Sequence, residues 1–73
     1  MKYITEKDSE WHDCKTEMPP TTTDVEFLDK NDNIVDGHIH VDMSGFYAAV
    51  HKGVGYTWSS FSYYKAWRFK TNN

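Results

Sequence analysis

The chain carries one leucine, Leu28, and three alanines, Ala48, Ala49 and Ala66, against twelve aromatic residues and eight valines or isoleucines. Leucine and alanine are the strongest helix formers, whereas β-branched and aromatic side chains suit a pleated, half-buried surface. A helical bundle of 73 residues needs leucines at helical spacing, and this chain lacks them. The inventory therefore predicts a mainly β protein: one small antiparallel sheet of four to five strands with at most one short helix. Each Trp or Tyr buries a large area, so a short chain closes a core with few of them.

Alternation places the strands. Residues 1–10 offer an edge strand, best over Met1 to Thr5, and Lys7 to Asp13 reads equally as a helical turn or as extended chain. Pro19-Pro20 and the three threonines that follow make a loop, because each proline pushes its predecessor out of the helical region. Asp24 to Asp29 alternates, with Val25 and Phe27 on one side and Glu26 and Leu28 on the other. Lys30-Asn31-Asp32-Asn33 should reverse the chain. Ile34 to Met43 is the best-patterned strand, with Ile39, Val41 and Met43 on one face and Asp36, His38, His40 and Asp42 on the other. Ser44-Gly45 and Lys52 to Gly55 are turn signals around a strand at Phe46 to His51. Strands are expected at Tyr56 to Trp58 and Phe61 to Phe69, broken at Ser59-Ser60, before a frayed tail over 70–73. The whole of 1–73 reads as a single domain.

Charge is divided along the chain. Residues 1–42 hold all eleven acids and four lysines, a net of −7, while residues 43–73 hold only Lys52, Lys65, Arg68 and Lys70, a net of +4. Acidic and basic strands side by side would neutralise each other; otherwise the surface is bipolar, with one pole for a charged partner.

Three constellations could carry chemistry. Asp36, His38, His40 and Asp42 fall on one strand face in steps of about 7 Å, where they could hold a divalent metal, with His12 and Cys14 as further ligands. The simpler reading is the polar, solvent-facing side of a two-sided strand. In the second half, Tyr56, Trp58, Phe61, Tyr63, Tyr64, Trp67 and Phe69 interleave with Lys65, Arg68 and Lys70. Rings flanked by bases on a sheet bind single-stranded nucleic acid, but the chain is acidic overall and many rings are needed for the core. Cys14, two residues from His12, lacks the glycine-rich elbow or helix start that lowers a thiol pKa. No catalytic set, phosphate loop, dinucleotide fingerprint or cofactor motif is present, so the chain reads as a non-enzyme without a cofactor. A lone cysteine excludes an internal disulfide and the cysteine-rich zinc modules. With no apolar run near 18 residues and no leader pattern, the expected location is the cytosol of a bacterial cell, away from the membrane.

The order of landmarks is Trp11, then Met18-Pro19, then Val25 to Leu28, Gly37, Phe46-Tyr47, Trp58 and a closing Tyr64-Lys65-Ala66-Trp67-Arg68-Phe69. Over residues 11–69 this resembles a family of small phage and prophage proteins, a domain of unknown function. Its members open with Trp and Leu-Pro and close with Thr-His-Trp-x-Pro. This chain has Met18 for the Leu and Ala66 for the His, and lacks the closing prolines. The resemblance implies a small β-rich fold and a phage or prophage origin, with no catalytic residue attached. Trp11, Trp58 and Trp67, if they meet inside, would staple both ends of the chain to the middle of the sheet.

The leading expectation is a non-catalytic protein-binding module, an accessory factor that binds and modulates or inhibits a host protein. Tyr47, Tyr56, Tyr63 and Tyr64, too many to bury, together with Lys65 and Arg68, are its expected contact residues. A homodimer would also support so small a core. Single-stranded nucleic-acid binding and a metal or small-ligand site at His38 and His40 are the alternatives.

Overall fold

The computed structural model describes residues 1–70. Among the described residues, eight strands form in chain order: β1 (Lys2–Tyr3), β2 (His12–Asp13), β3 (Glu17–Met18), β4 (Val25–Leu28), β5 (Ile34–Asp42), β6 (Gly45–Lys52), β7 (Gly55–Ser60) and β8 (Ala66–Phe69). Six of them make an antiparallel sheet in the order β2-β8-β4-β5-β6-β7, and β1 pairs in parallel with β3. The fold is mainly β, as the lopsided inventory predicts, and the helical content of the described residues is one 3-10 turn, Phe61–Tyr63. No helix among the described residues is long and apolar enough to cross a membrane. Of the tail expected over 70–73, all but Lys70 lies outside the described residues.

Strands β4 to β7 form a meander because each turn is chemically specified. In the β4–β5 turn, Asp29 Oδ1 accepts the backbone N–H groups of Asn31 at 2.8 Å and Asn33 at 2.9 Å. Asp32 takes the positive φ of 66° that the reversal requires, which Asp tolerates. In the β5–β6 turn, Asp42 Oδ1 accepts from Ser44 N at 2.8 Å and Ser44 Oγ at 2.7 Å. Gly53, at φ 62°, turns β6 into β7.

After β7 the chain crosses beneath the sheet and returns beside β4. Ser59 and Ser60 continue β7, and the expected break falls instead at the 3-10 turn, where Phe61 and Tyr64 bury themselves on Phe27. This connection and the N-terminal segment cover one face of the sheet. The core there joins Val25, Phe27, Ile39, Ala48, Val50, Trp67 and Phe69 from the strands with Cys14, Met18, Phe61 and Tyr64 from the covering segments. Of the three tryptophans only Trp67 is inside, fully buried; Trp11 is 37% and Trp58 58% exposed, so the expected three-tryptophan staple does not form. Of the expected apolar row on β5, Ile39 is buried, but Val41 and Met43 run past the edge of the core into solvent.

The N-terminal segment holds no helix over Lys7 to Asp13; it bends at Ser9 and Glu10, where Asp8 Oδ1 accepts the Glu10 N–H at 3.2 Å, then enters β2 and is pinned by His12. This buried imidazole stacks on Trp67 at 4.5 Å and lies 2.9 Å from Asp8 Oδ1 through Nε2 and 3.2 Å from Glu17 Oε1 through Nδ1. Only the protonated ring donates both bonds. Burial acts to lower the His12 pKa, but the hydrogen bonds and charges of Asp8 and Glu17 outweigh it, and the net shift is upward. A pKa raised by folding adds stability that is complete below the unfolded value of about 6.5 and is lost as pH rises through the folded value. The urea midpoint should therefore fall between neutral and mildly alkaline pH in the wild type, and His12→Gln should flatten that slope. Equal slopes in the two proteins would contradict the arrangement.

Candidate functional site

Among the described residues, no segment crosses the β5–β7 part of the other face of the sheet; Trp11 lies over Arg68, and Thr21, Thr22 and Asp24 border the cleft beside β5. Cross-strand partners share a face, so the register assigns its residues: Glu26 and Arg68 from β4 and β8, Asp36, His38 and His40 from β5, Tyr47, Ala49 and His51 from β6, Tyr56 and Trp58 from β7. The two halves of this open face differ in chemistry.

The β8–β4 side is a zone of closed ion pairs. Arg68 Nε donates to Glu26 Oε1 at 2.7 Å, and its guanidinium lies 4.4 Å from the centre of the Trp11 ring. Lys70 Nζ donates to Asp36 Oδ2 at 2.9 Å. At the β4–β5 turn, Lys65 pairs with Asp32. Three of the four bases in the C-terminal half are thus matched to acids of the N-terminal half, one of them, Arg68 with Glu26, across directly paired strands.

The β5–β7 side is a zone of rings. His40 stacks on Trp58 at 4.6 Å with 17° between the planes. His38 meets Tyr56 edge-on at 5.4 Å and His51 at 5.8 Å, and His51 meets Tyr56 at 4.9 Å. Ala49 stands between His38 and Trp58 in register and is only 1% exposed, although it points to the open side. The rings close over it, which requires a small side chain at that position. Beside them, Thr21, Thr22, Asp24, His38, His40 and Tyr56 help line a cleft of about 580 Å³.

The expected site residues separate accordingly. Tyr47 and Tyr56 lie in the ring zone, Tyr47 with its hydroxyl 2.8 Å from Ser44 Oγ. Tyr63 is exposed, but on the connection that crosses the opposite face. Tyr64, expected outside, is 7% exposed and stacks on Phe27 at 5.1 Å; the chain must fold back over the core there, and its ring fills the gap. Lys65 and Arg68 are engaged in their ion pairs, away from the rings.

The expected metal set separates too. Asp36, His38, His40 and Asp42 do share the strand and the face, but Asp36 is held by Lys70, and His40 is stacked on Trp58 with Asp42 3.8 Å from its Nε2. Among the described residues, the ligand-type atoms that converge are those of Asp24, His38 and His51. Asp24 lies just before β4 and His51 in β6, so reading one strand at a time misses them. His12 and Cys14 are on the far side: His12 is occupied by its two carboxylates, and Cys14 is buried in the core. Burial, reinforced by the Asp13 charge, pushes the Cys14 thiol up to about 12, the wrong direction for a nucleophile.

Comparison with known protein families, with curated proteins and with solved structures gives no match. The functional reading therefore rests on the open face itself.

Proposed function

We propose that the chain is a non-catalytic protein-binding module, that the ring zone of the open face is its contact surface, and that it serves a phage or prophage by modulating a host protein. The observation that carries this is the contiguous set His38, His40, His51, Tyr56 and Trp58 on an uncovered face, with Tyr56 and Trp58 more than half exposed. Rigid aromatic anchors are enriched at the centres of protein interfaces, where a few of them supply most of the affinity. The strands already order these rings, so binding costs little side-chain entropy. Asp24 and Asp42 flank the rings, and Lys65, Arg68 and Lys70 are paired with Asp32, Glu26 and Asp36. That distribution favours a partner with a basic surface and counts against an oligonucleotide, whose affinity comes largely from phosphate contacts. The phage or prophage setting rests on the order of landmarks from Trp11 to Phe69.

Immobilised protein in bacterial lysate should retain a partner that is lost on Trp58→Ala with Tyr56→Ala and kept on Tyr63→Ala. Loss of central anchors costs at least about 2 kcal/mol, or about thirtyfold in affinity. Capture of the same proteins by the wild type and both variants, or of none together with a strictly monomeric size-exclusion profile, would remove the proposal.

A further inference from the structure

We infer that Asp24, His38 and His51 form a binding site for a divalent transition-metal ion of the zinc class. The three residues come from three adjacent segments: Asp24 immediately before β4, His38 in the middle of β5 and His51 near the end of β6. Their ligand atoms lie within 4.8 Å of one another. Ligands around a tetrahedral zinc at bond lengths of about 2.0–2.1 Å stand about 3.3 Å apart. Closing the set on a tetrahedral zinc therefore asks each pair of ligand atoms to approach by at most about 1.5 Å.

The donor chemistry fits. Two neutral imidazoles and one carboxylate match a borderline-soft ion such as zinc, and favour it over magnesium or calcium, which take oxygen ligands. The surroundings leave these donors available. Asp36 and Glu26, the neighbouring carboxylates of the face, are taken by Lys70 and Arg68, so the acid beside the two imidazoles is that of Asp24. Tyr56 sets its ring edge-on against both imidazoles, at 5.4 Å and 4.9 Å. The cleft opens on the same side, so the ion keeps a position for water. Three protein ligands with an open fourth position is the arrangement of an accessible zinc site rather than a closed structural one. The site lies where the ring zone meets the ion-pair zone, and it ties β4, β5 and β6 together.

Calorimetric titration of the untagged protein with zinc chloride at neutral pH tests this. One ion should bind per chain. Loss of a mere outer-shell partner already costs about 10–100-fold in metal affinity, so His38→Ala, His51→Ala and Asp24→Asn should each weaken binding at least that much. His40→Ala, a histidine of the same face outside the triad, should leave it unchanged. Cobalt should give the intense visible absorption of tetrahedral coordination in the wild type and lose it in His51→Ala. All four positions are at least partly exposed, so the variants should keep the wild-type dichroism spectrum. A flat wild-type titration, or binding that survives His51→Ala and Asp24→Asn but falls with His40→Ala, would overturn the assignment.

Discussion

Trp67→Ala should lower the thermal midpoint by at least about 12 °C. The indole is fully buried, stacks on His12, meets Phe69 edge-on at 5.1 Å and lies opposite Phe27 in β4 and His12 in β2. Its Nε1–H donates to the Glu17 carbonyl at 2.9 Å, so one side chain joins the sheet to the N-terminal segment. Removing a buried Trp costs about 3–5 kcal/mol, against a total of about 4–11 kcal/mol for a domain of this length. Trp67→Phe keeps most of the packing but orphans the carbonyl, and should cost about 1–3 kcal/mol. Thermal denaturation followed by dichroism separates the two, since each kcal/mol shifts the midpoint by about 4–8 °C at this size. A Trp67→Ala midpoint within a few degrees of wild type would mean that this residue does not hold the core.

Gly37→Ala is expected to be nearly as damaging, for the opposite reason. Gly37 lies at the centre of β5, opposite Val25 and Val50. An added methyl would run into the backbone carbonyl oxygen of Ala49 and stand 3.0 Å from Phe27 Cε2. The obstacle is backbone, so repacking Phe27 cannot relieve it, and β5 and β6 must part locally. Overpacking of this kind costs about 1–3 kcal/mol, with the upper end expected where a carbonyl is in the way. Gly55→Ala provides the control, because nothing lies within 4 Å of its added carbon and its φ is not positive. That variant should change stability by at most about 1 kcal/mol, with a gain as the expected sign. Equal effects at the two glycines would remove the steric explanation.

How much of this was legible in the residues depends on distance along the chain. The hairpins were, because Asp29 to Asn33 and Asp42 to Gly45 carry their own turn chemistry. Charge neutralisation between strands was legible as one of two readings, and the Arg68–Glu26 pair across β8 and β4 realises it. The placement of individual rings was not. Tyr64 and Tyr63 are neighbours of the same type, and only the path of the β7–β8 connection decides that one is buried and the other exposed. Trp58 is held outside by its register opposite Ala49, a long-range fact.

The Asp24, His38 and His51 cluster shows why alternation falls short. Period two compares residues about 7 Å apart on one strand, whereas residues directly opposite on paired strands are about 4.5–5.5 Å apart. Folding at the first turn sets Val25 opposite Gly37, which brings Asp24 beside His38. Folding at the second sets Gly37 opposite Val50, which leaves His51 one diagonal step from His38. Both turns were visible, and extending their registers by a residue or two would have found the site.

The division of the rings between a covered core and an open contact face is tested most directly by paramagnetic relaxation from a soluble gadolinium chelate, read at each assigned aromatic ring by NMR. Tyr56 and Trp58 should relax strongly, while Phe27, Tyr64, Trp67 and Phe69 stay close to the diamagnetic rate. Protection of Trp58 equal to that of Trp67 in a monomeric sample would contradict it, because the face proposed to meet a partner would already be inside.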